Sequence, residues 1–179
     1  MSSAVGLAGL TLISDTSEAA KKPEKMFPQV GDRFQITKGP LKGELLRPGL
    51  LKVGEAPVIG FPYAPKEQIL RKKNRLNRLL MVELDPADME EETRERSAEG
   101  VLIYSALCTH RGCTIASWKA EEQHFRCHCH LSEFDPLDSA RPQNGPAKKS
   151  LAAVPVTVDD EGFVVATAEF TRKPGAAKK

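Results

Sequence analysis

Apolar and polar positions alternate in short runs along most of this 179-residue chain, and Gly or Pro separates one run from the next. A period of two turns one face of a strand toward a core and the other toward water, while Gly and Pro punctuate turns. The pattern predicts strands at 33–36, 50–53, 58–61, 79–84, 101–107, 124–127, 154–158 and 163–168. Asp159-Asp160-Glu161-Gly162 separates the last two and suits a hairpin loop. One stretch, 86–97, reads as helical. Asp85 can cap it, Pro86 fits its first turn, and its acids cluster where the helix dipole favours them. No internal repeat and no phosphate-binding glycine loop occurs. The expected fold class is all-β with a short helical insert.

The ends read differently. Residues 4–13 (AVGLAGLTLI) are apolar but far shorter than the roughly 20 residues of a membrane-spanning helix. Ser17-Glu18-Ala19-Ala20 follows, with small residues spaced as at a signal-peptidase site, yet no basic residue precedes the apolar run. The expectation is that 1–20 is part of an export signal whose basic head lies upstream. A twin-arginine signal would suit a protein exported with its cofactor in place. A plain tail and a retained membrane anchor are the alternatives. Residues 21–29 read as a linker, 30–170 as the folded domain and 171–179 as a flexible tail.

Net charge is only +2, which gives no broad basic field for nucleic acid. Its distribution is uneven: 66–78 holds six bases and one acid, and 85–99 holds seven acids and two bases. Two solvated faces would explain this, and so would a docking surface for a redox partner.

All four cysteines lie between positions 108 and 129, interleaved with histidines. A disulfide framework spreads its cysteines to staple distant loops, so this crowding points to a local metal site. Two boxes carry it, Cys108-Thr109-His110-Arg111-Gly112-Cys113 and Cys127-His128-Cys129-His130-Leu131-Ser132-Glu133-Phe134. Each follows a predicted strand, so two loops could meet at their tips. Two thiolates and two imidazoles suit tetrahedral zinc, and they equally suit an iron–sulfur pair with one iron on Cys and one on His. Zinc on Cys108, His110, Cys127 and His130 leaves Cys113 and Cys129 without a task.

The pattern C-x-H-x-G-C followed by C-x-C-H-x-S resembles that of the Rieske [2Fe–2S] family. The resemblance is close over 100–168 and covers 30–99 only by strand pattern. It implies an antiparallel β-sandwich with a small cluster-binding subdomain and a [2Fe–2S] cluster on Cys108, His110, Cys127 and His130. It further implies a Cys113–Cys129 disulfide, which fits an exported protein. Gly145-Pro146-Ala147, within loop 144–148, is similar to the family's covering loop. Ser132 would direct its hydroxyl at a bridging sulfide. Phe134 stands where quinol-oxidising members often have tyrosine, which implies an intermediate potential that Phe134→Tyr raises. His110 and His130 would couple electron loss to proton loss. Departures from the family are His128, Leu131 and Lys148, at positions where proline, glycine and proline are common. His124 and His128 read as surface or loop residues, Trp118 as packing, and Gly112 as a turn glycine.

The resemblance extends to three settings. The chain is similar to the small subunit of arsenite-oxidase-like periplasmic oxidoreductases, and to the Rieske subunit of cytochrome bc complexes. A soluble oxygenase ferredoxin fits less well, because such ferredoxins generally lack the disulfide. Arg111 at the first loop tip favours a protein partner over an apolar quinol pocket, since burying a guanidinium there is costly. The expected partner is a larger redox subunit or a cytochrome, on the periplasmic side. A zinc-stabilised domain with no redox role is the contrasting reading. No nucleophile–base pair suggests a catalyst in its own right.

Overall fold

The computed structural model describes residues 22–176. Two segments organise it. Leu79–Glu83 and Val101–Ser105 pair antiparallel with Leu80 opposite Tyr104 and Met81 opposite Ile103, and every residue of both is buried. Side chains alternate across a strand, so the pair faces two cores. Leu79, Met81, Val101 and Ile103 join Phe34, Ile36, Leu46, Val154 and Val164 on one side. Leu80, Val82, Leu102 and Tyr104 join Ile115, Phe125, Phe134, Cys108 and Cys127 on the other. A strand covered on both faces needs an unbroken apolar run, and that is what the sequence holds at Leu79-Leu80-Met81-Val82.

The larger sheet contains β1 (Arg33–Ile36), β2 (Val58–Ala64), β3 (Ile69–Leu70), β4 (Leu79–Glu83) and β5 (Val101–Ser105). After the smaller sheet, formed by β6 (Ser117–Lys119), β7 (His124–Arg126), β8 (Glu133–Asp135) and β9 (Arg141–Asn144), the chain returns with β10 (Val156–Val158) and β11 (Val164–Ala166). The large sheet runs β10-β11-β1-β2-β4-β5 with β3 beside β2, and the small one runs β6-β7-β8-β9. All the pairings are antiparallel. The small sheet with its loops forms a lobe inserted between β5 and β10. The all-β expectation with a cluster-sized subdomain holds.

Differences from the expectation have local causes. Residues 50–53 form no strand. The Glu83 carboxylate accepts from Gly49 N–H and the Glu83 carbonyl from Gly54 N–H, which folds that stretch around the end of β4. β2 continues beyond Phe61 through Pro62, because β4 pairs with it only as far as Gly60 and the missing N–H lies past that ladder. The helical stretch divides. Asp85 accepts from Ala87 N–H and caps a single 3-10 turn, Pro86–Asp88. Met89 then turns extended and sinks into the lobe-side core, and α1 (Glu91–Glu95) starts afresh. The 159–162 hairpin forms as expected, closed by the Asp159 carboxylate accepting from Glu161 and Phe163 N–H.

Neither terminal segment within the described range is loose. Asp32 and Arg71 form a buried bidentate ion pair, and Arg71 also donates to Pro23 O. Asn77 donates to Met26 O. These bonds tie 22–29, expected as a linker, onto the domain. Thr171 exchanges hydrogen bonds with Ala153, and Pro174 is buried, so 171–176 also lies against the fold. The expected signal at 1–20 lies outside the described residues.

Candidate metal centre

Three loops converge at the end of the lobe. The first, 108–113, leaves β5 and closes on itself: Cys108 N–H donates to Cys113 O and Gly112 N–H to Cys108 O, each at 2.8 Å. Gly112 takes φ +74°, as a turn glycine should. The second loop joins β7 to β8, and Cys127 N–H donates to Ser132 O at 2.8 Å. Cys113 and Cys129 are bonded to each other, which locks the two loops together. The third loop closes over the second. Gly145 has φ +79°, and a Cβ there would stand 2.6 Å from Ser132 Cα and 2.9 Å from Leu131 O, so only glycine permits the approach. Ala147 N–H then donates to Ser132 Oγ at 3.1 Å. Thr109 Oγ1 donates to Lys149 O at 2.7 Å and ties this loop to the first.

The side chains sort into an inner and an outer pair. Cys108 and Cys127 are free thiols, 2% and 1% exposed. Burial pushes the Cys108 thiol pKa up, as does the Cys127 thiol beside it, while the His110 and Arg111 N–H groups partly offset this. Outside them, the His110 and His130 rings meet edge to face with centroids 4.5 Å apart. His130 is exposed, whereas His110 is half-buried and its Nδ1 is enclosed without a hydrogen-bond partner. Burial lowers the His110 pKa, and the neighbouring His130 and Arg111 lower it further.

Ser132 is fully enclosed, and its hydroxyl accepts from Ala147, which leaves its own proton to give. Phe134 is fully buried opposite Phe125 and belongs to the lobe core. Trp118 packs on Phe125 at 5.5 Å. Arg111, Pro146, His128 and Leu131 are exposed around the tip. Leu131 holds φ +58°, the left-handed conformation its side chain disfavours.

The donor set discriminates between metals. Among the described residues, one group of three ligating atoms lies within 4.8 Å of one another, the sulfurs of Cys113, Cys127 and Cys129. Two of these are consumed by the disulfide. No three of Cys108, His110, Cys127 and His130 draw together to that degree, as a single tetrahedral zinc would require. A buried pair of free thiols, a pair of touching imidazoles on the same loops and an enclosed His110 Nδ1 without a partner fit a two-iron group.

Comparison with known proteins points the same way. The family model for the Rieske [2Fe–2S] domain matches residues 88–155. The cytochrome bc1 complex Rieske iron–sulfur subunit of Streptomyces lividans is 34% identical over 137 residues, covering 75% of this chain and 80% of that protein. The chain belongs to the Rieske family. The corresponding subunit of Corynebacterium glutamicum is also 34% identical, over 106 residues, which are 56% of this chain but only 26% of that protein. The soluble domain of Rieske protein II from Sulfolobus acidocaldarius superposes with a TM-score of 0.40 at 16% identity, over 54% of this chain and 68% of that domain. The cofactor of this Rieske domain is a Rieske-type [2Fe–2S] cluster, and its function is electron transfer through that cluster.

Two contacts escape a reading of the motifs alone. Arg75 reaches to 3.7 Å from where a Gly112 Cβ would lie, and Thr109 binds the third loop. The basic run at 66–78 was the visible signal for the first, and nothing in the sequence marks the second.

Proposed function

We propose that Cys108 and Cys127 hold the inner iron of the cluster and that His110, through its enclosed Nδ1, and His130 hold the outer one. The observation that carries this is the sorting of the cysteines. Two are bonded to each other, and the two left free are the buried pair beneath the imidazoles. Bound there, the cluster supplies a one-electron couple. The protein shields its inner side with Ile115, Phe125 and Phe134, which exclude water. Ser132, whose Oγ accepts from Ala147 N–H, keeps its own proton to donate, and a donor to cluster sulfur favours the reduced state. Exposed His130 leaves one edge open for electron exchange.

The setting we favour is the iron–sulfur subunit of a cytochrome bc-type complex, working at the outer face of the cytoplasmic membrane. Relatives at 34% identity carry that description. Leu131, 51% exposed beside His130, offers the tip an apolar contact despite Arg111. Among the described residues no helix is long and apolar enough to cross a membrane. The small subunit of an arsenite-oxidase-like oxidoreductase, a molybdenum enzyme, rests on Arg111 and Phe134 and is the second reading.

Electron paramagnetic resonance of the dithionite-reduced chain, with iron, sulfide and zinc analysis, tests the site. The expected result is a mixed Cys/His binuclear signal that is lost in Cys108→Ser and His130→Ala. Stoichiometric zinc and no signal would refute it. Co-purification with a cytochrome b or with a molybdenum subunit separates the two settings.

A further inference from the structure

Six cations surround the cluster end, and the chain brings them there from four separate places. Arg75, from the turn before β4, lies against Gly112 of the first ligand loop. Arg78 donates to Thr114 Oγ1 at the far side of that loop. Arg111 is at its tip. Lys149 follows the covering loop, and its carbonyl is bound by Thr109 between the ligand positions. Arg172 and Lys173 line a cleft of about 620 Å³ together with Thr109 and Lys149. A Cβ added at Gly175 would lie 3.7 Å from Leu107 Cβ, so the C-terminal segment runs beside the residue that precedes Cys108.

None of the six takes part in an ion pair among the described residues. Lys148 of the covering loop is likewise unpaired, whereas Lys73 pairs with Glu24 and Arg71 with Asp32. Glu92 feels Arg172 at a distance but is itself paired with Arg96. Six cations without an ion-pair partner thus lie on the segments at the cluster end of a chain whose net charge is only +2.

We propose that this cationic collar docks the cluster end onto an acidic face of the protein that exchanges electrons with it. The proposal rests on the cluster assignment above. Unpaired charge around an active edge steers and orients an oppositely charged partner, raising the encounter rate in a salt-dependent way. An anionic lipid surface would also attract the collar. It would press against the same end that exposes His130 and shut it off from a redox partner, so the protein is the occupant the geometry favours.

Two one-electron oxidants of opposite charge test this on the holoprotein. The reduced cluster gives one electron to ferricyanide, forming ferrocyanide, or to tris(phenanthroline)cobalt(III), forming its cobalt(II) complex. The ferricyanide rate is expected to fall roughly tenfold between about 10 mM and about 0.5 M salt, and the cobalt rate to rise. Arg75→Glu with Lys173→Glu should lower the ferricyanide rate severalfold at low salt. Lys42→Glu with Lys66→Glu, an equal change in net charge away from the loops, should change it less than twofold. Binding of a poly-glutamate peptide, followed by fluorescence anisotropy, should weaken in the first pair alone.

Equal effects of the two pairs, or matching salt slopes for the two oxidants, would overturn the proposal. So would sedimentation with phosphatidylglycerol vesicles that blocks oxidation by ferricyanide, which would assign the collar to lipid. A chain that forms no cluster would overturn the electron-carrier reading and the docking with it. A chain with its cluster and no charge preference would overturn the docking alone.

Discussion

The large sheet and the cluster lobe share the wall made by β4 and β5, yet they are held by different means. The large-sheet side has a continuous apolar core built on paired strands of up to seven residues. The lobe has four strands of three or four residues, and its outermost strand β9 is mostly exposed. So small a sheet is marginal by itself. To the core it shares with the wall, the lobe adds a disulfide and the closed third loop. The lobe thus depends on these specific bonds as well as on the wall, so it should fail without the scaffold but not the scaffold without it.

The largest expected effect breaks both at once. Phe34 is fully buried in the large-sheet core. Phe34→Ala should cost about 3–5 kcal/mol. Because the wall is common to both cores, cluster absorbance and far-ultraviolet circular dichroism should be lost in a single denaturant transition. Two separated transitions would show that the lobe does not depend on the wall.

Removing the disulfide should act on the lobe alone. Cys113 and Cys129 are separated by 16 positions, and closing a loop of that size is worth about 3 kcal/mol on chain-entropy grounds. Cys113→Ala with Cys129→Ala should make cluster loss precede unfolding of the large sheet. Gly145→Ala follows with about 1–3 kcal/mol, since both its φ and the Ser132 backbone oppose a methyl group. Its signature is faster cluster release with an unchanged melting of the large sheet.

This contrast also explains what was legible in the sequence. Strands such as 33–36 and 79–84 could be read because burial leaves a trace, alternating in the first and an unbroken apolar run in the second. Ser117–Lys119 and Arg141–Asn144 could not, because their pairing depends on where the loops place them rather than on apolar side chains. The reverse failure is 50–53, where Leu50 and Leu51 pack on the core from a turn fixed by Glu83 while Val53 is exposed. At the site, the Cys/His spacing showed which residues gather. Spacing could not show that the cation collar is assembled from 75–78, 111, 149 and 172–173, since only tertiary packing brings these to one end.

The smallest effect tests the comparison most finely, because it can be placed in either region. Leu131 in the lobe and Gln68 beside β3 in the large sheet both hold positive φ, +58° and +55°. A non-glycine residue in that region costs about 1–2 kcal/mol. Glycine there gives back part of the gain by making the unfolded chain more flexible. Leu131 is 51% exposed, so little burial is lost with its side chain. Leu131→Gly should therefore stabilise the lobe by about 0.5–1 kcal/mol, delaying cluster release while leaving the large-sheet transition in place. Gln68→Gly should do the opposite, raising the large-sheet transition without slowing cluster release from the intact fold. If either substitution moved both readouts equally, the two regions would be one cooperative unit.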